Sequence, residues 1–160
     1  MDRHPHNAHL RRHRQTVPAL ITACTTNREP LLHGEACART VLDSLRWLDA
    51  RQRLILYAAV VMPDHIHFVA DPLGTAWASH VHALKSHTGP IVNRHLGRSG
   101  QVWQRQYHDR QVRSDPDLIA AIGYCERNPQ RAGLVTASEV YPHLWLRFNA
   151  SSAREAGSDF

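Results

Sequence analysis

The feature that most constrains the fold is a pair of apolar segments joined by a sharp corner within residues 54–71. Residues 54–62 form an almost unbroken apolar run of strand length, and Pro63 and Asp64 turn the chain before a second β-rich run. This pattern predicts two strands of a hairpin, with the first strand covered on one or both faces. The rest of the chain must therefore supply a sheet and helices that bury this hairpin.

The second strand of the hairpin carries two histidines in the run DHIHF. Side chains alternate between the two faces of a strand, so His65 and His67 share one face while Ile66 and Phe68 share the other. Two neutral imidazoles on one face can hold one metal ion, although the pair alone lacks a third ligand. The alternative is a pair of solvated or hydrogen-bonded histidines, and other residues must decide between these interpretations.

The segments on either side of the hairpin predict an α+β domain. Residues 18–26 are β-rich and apolar, and Glu35–Ala50 has apolar residues at helical spacing. Residues 76–96 have a second helical stripe, which Gly89-Pro90 should kink or split, and residues 101–113 are typical of a polar strand. The order β-α-β-β-α-β predicts a ferredoxin-like fold, a split β-α-β antiparallel sheet with helices on one face.

A further helix should start at Ser114, which has the character of an N-cap, and should end at Pro129. Tyr124 and Asn128 are four residues apart and therefore lie on adjacent turns of one helix face, where both could face a cleft. A phenol and an amide so placed are also common on protein surfaces. In addition, Pro129 biases Asn128 away from helical geometry.

Length and charge limit the class of protein. The 160 residues are enough for one domain with a real core. We predict a flexible basic His/Arg-rich arm over residues 1–16, a single domain over residues 17–148 and a disordered tail over residues 149–160. The net charge is +5, and all but one of the 19 basic residues are arginines, which favours a polyanionic partner.

The sequence lacks a membrane-spanning segment and a CxxC motif, and both features bear on its cellular location. No apolar run approaches the roughly 18 residues of a membrane span. The three cysteines are widely spaced and form no CxxC motif, which favours reduced thiols over disulfides or structural zinc. We therefore expect a soluble cytoplasmic protein.

Other histidines and aromatic residues are weaker candidates for functional residues than the histidine pair of the hairpin. His80 and His82 form a second HxH pair, but on a helix they point about 200° apart, so we interpret both, together with His87, as surface residues. In the polar strand, Trp103 and Tyr107 are interleaved with arginines. This pattern is typical of phosphate contacts combined with base stacking, or of an edge strand whose rings pack on a neighbouring element.

Three segments together resemble a known family. They are MPDHIHFV around the histidine pair, GQVWQRQYHDR in the polar strand and GYCERNPQRAGLV at the end of the last helix. Their order and spacing resemble the single-tyrosine HUH transposases, most closely the REP-associated tyrosine transposases. The resemblance covers residues 18–135 and implies a ferredoxin-like domain with a C-terminal helix that carries the nucleophile.

The resemblance also implies roles for individual residues. His65 and His67 would hold Mg²⁺ or Mn²⁺, Asn128 would be a further metal ligand, and Tyr124 would be the nucleophile. The implied activity is that of a metal-dependent single-stranded DNA endonuclease and strand transferase, which acts near palindromic repeat hairpins through a 5′-phosphotyrosine. The expected partners are single-stranded DNA and DNA hairpins, bound by a monomer or a homodimer. Candidate DNA-binding residues are Trp103, Arg105, Tyr107, Arg110, Arg127 and Arg131.

Two other functions are consistent with the same residues. The chain could be a non-catalytic nucleic-acid-binding module of the same fold, or a metal phosphodiesterase that uses water. The combination of His65, His67 and Tyr124 argues against the first, because binding alone requires no nucleophile beside a metal pair. The second predicts that a Tyr124→Phe variant still cleaves DNA.

Overall fold

The computed structural model describes residues 16–148. These residues include the whole predicted domain. The predicted N-terminal arm, apart from Thr16, and the predicted C-terminal tail lie outside the described residues.

The described residues form five strands and three α-helices, with a short 3-10 turn at Thr26–Arg28. None of these helices combines the length and the apolar character needed to cross a bilayer. The strands are β1 (Ala19–Cys24), β2 (Ile55–Val61), β3 (His65–Asp71), β4 (His108–Gln111) and β5 (Leu144–Leu146), and the helices are α1 (Glu35–Ala50), α2 (Trp77–Leu96) and α3 (Asp115–Arg131).

The strands of the described chain form one sheet in the order β4-β1-β3-β2-β5, and every neighbouring pair is antiparallel. The strands β4, β1, β3 and β2, with α1 and α2 as connections, form the predicted split β-α-β arrangement, so the ferredoxin-like α+β fold is confirmed. β5 extends the sheet beyond the predicted strands. It was not predicted because three residues are too few to show an alternating pattern.

Different helices cover the two faces of the sheet. On one face, Ile66 and Phe68 of β3 belong to the larger core, which they share with α1 and α2. On the other face, Val69 of β3 packs in a smaller core with Cys125 of α3. Because the histidine pair alternates with Ile66 and Phe68, it lies on the face that α3 covers.

The predicted bounds of α1 agree with the structure. Val41 and Leu45 lie one turn apart and are both fully buried, as the apolar spacing requires. At the end of the helix, the carboxylate of Asp49 accepts hydrogen bonds from the backbone N–H of Leu56 at 2.9 Å and from the side chain of Arg147. One carboxylate therefore joins α1 to β2 and to the end of β5.

Two prolines lie inside helices that they were predicted to interrupt. α2 runs as one helix from Trp77 to Leu96 and contains Pro90, so it is not split. α3 continues through Pro129 to Arg131, and the prediction that Pro129 ends the helix is wrong. A proline removes one i to i−4 hydrogen bond. In α3, Pro129 is buried and its carbonyl accepts a hydrogen bond from the N–H of Leu134 at 2.9 Å, so packing and this contact keep it within the last turn of the helix.

The polar segment of residues 101–113 is a strand over only part of its length, which corrects the prediction. Residues 108–111 pair with β1, and Trp103 makes one isolated bridge to the residue that follows β1. Between these points the ammonium group of Lys85 donates to the backbone carbonyls of residues 104–106. These carbonyls face a lysine instead of a neighbouring strand, so regular pairing starts only at β4.

Candidate active site

The histidine pair of β3 lies side by side beneath α3. The ring centroids of His65 and His67 are 4.7 Å apart. His67 is buried, with 6% of its surface exposed, and His65 is half-buried. The two rings share one face of the sheet, as the alternation of side chains along a strand predicts.

Each histidine has one ring nitrogen engaged by a neighbouring side chain. Nδ1 of His65 lies 2.6 Å from a carboxylate oxygen of Asp64, and Nδ1 of His67 lies 2.7 Å from the hydroxyl oxygen of Thr22 on β1. Within residues 16–148, the Nε2 atoms of both histidines have no hydrogen-bond partner. Contacts of this kind orient an imidazole and leave its second nitrogen as the ligand atom.

The surroundings of His67 keep its ring neutral near neutral pH. Burial, with smaller contributions from the charges of His65 and Arg28, lowers the pKa of His67 from 6.5 to about 4. A neutral imidazole retains the lone pair that binds a metal ion. The environment of His67 therefore suits a metal ligand better than a charged surface group.

The loop after β1 supports Asp64 from the side opposite to His65. Nε of Arg28 donates to the second carboxylate oxygen of Asp64 at 3.1 Å, and Nη1 of Arg28 donates to Sγ of Cys24 at 2.9 Å. Burial alone would raise the pKa of Asp64, but the hydrogen bond and charge of His65 and the Arg28 guanidinium lower this pKa overall. Arg28, Asp64 and His65 thus form a connected chain of contacts.

Sequence reasoning did not identify Thr22, Asp64 or Arg28 as parts of this site. Two of them carry a signal that could have found them: Thr22 is the single hydroxyl residue of the strand ALITAC, and Asp64 directly precedes the histidine pair. Arg28 carries no such signal. Its contact depends on a left-handed backbone, with φ of 54°, that returns the loop towards the hairpin.

α3 brings Tyr124 against His67. The centroids of the two rings are 5.1 Å apart and the ring planes meet at 76°, an edge-to-face contact. The helix is capped by Ser114 and buries Ala121 and Cys125 against the sheet, which sets its rotation so that Tyr124 faces β3. The tyrosine and both histidines belong to the same chain, so one chain brings these groups together.

Three other candidate residues lie on the same helix. The guanidinium carbon of Arg131 is 5.5 Å from the centroid of the Tyr124 ring, which is a cation–π contact. Asn128 is half-buried one turn after Tyr124 and lies within the helix, so the expectation that Pro129 displaces it from helical geometry is wrong. Arg127 is exposed.

The aromatic candidates for base stacking pack in the protein interior. Trp103 is 5% exposed, and its indole N–H donates to the hydroxyl of Thr88 at 2.9 Å. Tyr107 is half-buried against the same core. Too little of the Trp103 ring is exposed to stack on a base, which corrects its assignment as a DNA-binding residue. Arg105 and Arg110 are exposed.

We expect Trp103→Ala to destabilise the domain. Removing a buried indole should lower the free energy of unfolding by about 3–5 kcal/mol, as measured by denaturant titration. Trp47→Ala is a matched control, because Trp47 is 52% exposed, and it should cost less than about 1 kcal/mol. Unchanged stability of Trp103→Ala together with weakened DNA binding would contradict this assignment.

The second HxH pair is divided between the interior and the surface. His80 is buried, which corrects the prediction that it is a surface residue, and its Nε2 lies 3.0 Å from the backbone carbonyl of Pro72. The His80 ring also packs near Trp77, with 5.6 Å between ring centroids. His82 and His87 are exposed, as predicted. Helix geometry therefore keeps this pair from acting together, unlike the pair on β3.

The side chains near His65 and His67 determine which further ligands a cation bound there would need. Among the described residues, no group of three or more His, Cys, Asp or Glu side chains is placed to hold a metal ion. A cation at His65 and His67 would need oxygen ligands of other kinds, such as the Asn128 amide, water or a phosphate of the substrate. Two oriented imidazoles with free Nε2 atoms fit such a partly open site.

Solved structures of transposases share this fold. A REP-associated tyrosine transposase bound to a REP hairpin superposes on this chain with a TM-score of 0.65 and 18% sequence identity, over 90% of this chain and 81% of the other. A protein of Deinococcus radiodurans R1 described as a transposase superposes with a TM-score of 0.52 and 24% identity, over 69% of this chain and 89% of the other. At these identities the likeness concerns the fold. Among curated proteins there is no match.

The sequence also matches a family model. The model for IS200-like transposases matches residues 15–128, which is more than half of the chain. The matched residues include the histidine pair with its partners Thr22 and Asp64, as well as Tyr124 on α3. These residues of the site therefore lie within the part of the chain that the family model matches. The chain belongs to the IS200-like transposase family.

Proposed function

We propose that this family member is a single-stranded DNA endonuclease and strand transferase that uses Tyr124 as its nucleophile. The observation that carries the proposal is the contact between Tyr124 and His67, with 5.1 Å between ring centroids in one chain. The same imidazole is neutral and oriented by Thr22. A module that only binds nucleic acid requires no such group beside a tyrosine, so the non-catalytic alternative is less favoured.

In the proposed reaction the oxygen of Tyr124 attacks a phosphodiester phosphorus. The phenol loses its proton, the tyrosyl oxygen–phosphorus bond forms, and the bond to the 3′ oxygen breaks. That oxygen takes up a proton and leaves as a 3′-hydroxyl, and the other product is a 5′-phosphotyrosine. Attack by another 3′-hydroxyl then releases Tyr124 and rejoins the DNA. Arg131, which lies over the Tyr124 ring, provides positive charge beside the group that becomes anionic.

We further propose that His65 and His67 hold Mg²⁺ or Mn²⁺, with Asn128 as a further ligand. A divalent cation bound there would neutralise a non-bridging phosphate oxygen and make the phosphorus more electrophilic. Thr22 and Asp64 orient the two imidazoles for this role. Imidazole ligands favour Mn²⁺ over Mg²⁺.

Asp64 offers a test of this metal site that does not depend on cleavage. We expect Asp64→Leu to weaken Mn²⁺ binding by about 10–100-fold, because His65 loses the partner that orients it. Asp64→Asn keeps an acceptor oxygen beside Nδ1 of His65 and should retain most of the affinity. Titration calorimetry without DNA measures both values. An Mn²⁺ affinity of Asp64→Leu equal to that of the wild type would show that Asp64 does not position His65.

The substrate that we propose is single-stranded DNA next to a palindromic repeat folded as a hairpin. One of the structures with this fold is a REP-associated transposase bound to a REP hairpin. In this chain, Arg105, Arg110 and Arg127 are exposed and can contact phosphates, which position DNA without reading its sequence. Because the tyrosine and the histidines lie together in one chain, we propose that a single chain performs the cleavage.

A labelled oligonucleotide tests the proposed function. The DNA would carry an inverted repeat from the region flanking the gene together with its adjacent single strand, and it would be incubated with the protein and Mn²⁺. We expect the 3′ fragment to migrate as a covalent protein adduct on a denaturing gel and the 5′ fragment to end in a free 3′-hydroxyl. Two protein-free fragments would indicate hydrolysis by water, and binding without cleavage would indicate the non-catalytic module.

A further inference from the structure

The sheet face that carries the histidine pair is only partly covered by α3. The helix packs on β2, β3 and β5, and Ala58, Val60 and Val69 of this region belong to the core beneath it. Leu20 of β1 and Val112 after β4 also pack against this core. The other side chains of this face towards the β4 edge, those of Thr22, His108 and Arg110, are polar. Apolar residues mark where a helix packs on a sheet, so the polar half of this face is open to a ligand.

One row of this open half leads from the histidine pair to the edge of the sheet. Thr22 of β1 lies directly opposite His67 of β3 on one side and opposite His108 of β4 on the other. Residues directly opposite in antiparallel strands share a face. Neighbouring strands are about 4.8 Å apart, so His108 lies about 10 Å from His67. Arg110, opposite Leu20, shares the same face.

The two β4 side chains on this face are exposed and unengaged. In the part of the chain that the structure describes, the side chains of His108 and Arg110 make no hydrogen bond or ion pair. Arg28, near the other end of the row, is already paired with Asp64. Asp109 alternates with the two β4 residues and lies on the other face. A free guanidinium on this face suits a phosphate, which it can bind through two parallel hydrogen bonds.

We infer that the single strand next to the scissile phosphate crosses this open half-face, from His67 past Thr22 to β4, where Arg110 and His108 contact its phosphates. The inference rests on the proposed function, which places the scissile phosphate at the histidine pair. α3 with Tyr124 bounds the site on the β2 side, so the strand extends towards β4.

Arg110→Ala in a Tyr124→Phe background tests this path by binding alone. The probes are a fluorescent oligo-dT of about twelve nucleotides and a blunt DNA hairpin without a single-stranded extension. By fluorescence anisotropy we expect about 5–10-fold weaker binding of oligo-dT and unchanged binding of the hairpin. For oligo-dT, the slope of log affinity against log salt concentration should become less steep by about 0.7. His108→Ala should give a smaller loss with the same preference for the single strand.

Matched variants separate a local contact from general charge or folding. Arg110→Lys keeps the charge and should restore most of the oligo-dT binding. Arg46→Ala and His87→Ala change exposed residues on α1 and α2, across the sheet, and should leave both probes unaffected. Equal losses on oligo-dT and hairpin, a loss of the same size in Arg46→Ala, or no loss in Arg110→Ala would each overturn the inference.

The binding test of this DNA path can succeed or fail independently of the cleavage test of the proposed function. Binding to oligo-dT requires no cleavage, so an Arg110 effect can be observed even if Tyr124 proves not to be the nucleophile. Conversely, a confirmed tyrosyl adduct with no effect of Arg110→Ala would retain the mechanism and reject the path across β4.

Discussion

Replacing Tyr124 by phenylalanine should abolish both DNA cleavage and the covalent protein–DNA adduct. The ring and its edge contact with His67 remain, as does the packing of α3, but the oxygen that we propose as the nucleophile is lost. We expect the rate of cleavage to fall at least about a thousand-fold, because loss of a covalent nucleophile removes the reaction path itself. Binding of the hairpin should stay within about twofold of the wild type, since the exposed arginines proposed to contact phosphates are unchanged.

Tyr57→Phe is the matched control for the loss of a phenol. Tyr57 is half-buried on β2, and within the described residues its hydroxyl makes no hydrogen bond. This variant should cleave at the rate of the wild type. If Tyr124→Phe still cut DNA and released protein-free fragments, the tyrosine mechanism would be wrong and hydrolysis by water would take its place.

The second large effect is expected from His65→Ala. This substitution removes one of the two imidazoles proposed to hold the cation, while Asp64 keeps its ion pair with Arg28 and the loop keeps its support. We expect Mn²⁺ affinity, measured by calorimetry without DNA, and metal-dependent cleavage each to fall at least about 100-fold. His82→Ala is the matched control, because His82 is the exposed member of the other HxH pair.

Two outcomes would count against this assignment. Cleavage by the wild type that is unchanged in the presence of a chelator would reject a role for the metal, and full activity of His65→Ala would reject this ligand. A mixture of His65→Ala and Tyr124→Phe also tests the use of a single chain. Each protein lacks one group, so the mixture should remain inactive if a site is built within one chain, whereas recovered activity would indicate exchange of α3 between chains.

The elements that sequence reasoning located well are those whose pattern is local. α1 has the predicted bounds because its apolar residues follow one helical stripe without interruption. The β2–β3 hairpin was predicted because two apolar runs meet at Pro63 and Asp64, and strand alternation alone placed both histidines on one face.

The elements that sequence reasoning misplaced depend on contacts between residues that are far apart in the chain. The backbone carbonyls of residues 104–106 do not pair with a strand, because they accept hydrogen bonds from Lys85, about twenty positions earlier. His80 is buried because the carbonyl of Pro72 lies beside its ring. Pro90 and Pro129 are tolerated within α2 and α3 because packing outweighs the loss of one hydrogen bond, which a local rule for proline does not take into account.

The sequence by itself determined the order of the elements from β1 to α3 and the residue types available for chemistry, because helix and strand periodicity can be recognised within short stretches of chain. Only the tertiary structure decided which helix covers the histidine face, that Tyr124 meets His67 there, and that Thr22 and Asp64 occupy Nδ1 of the two rings. It also placed Trp103 in the interior. The physical reason is that these contacts join residues far apart in sequence, and their geometry is set by the packing of α3 on the sheet.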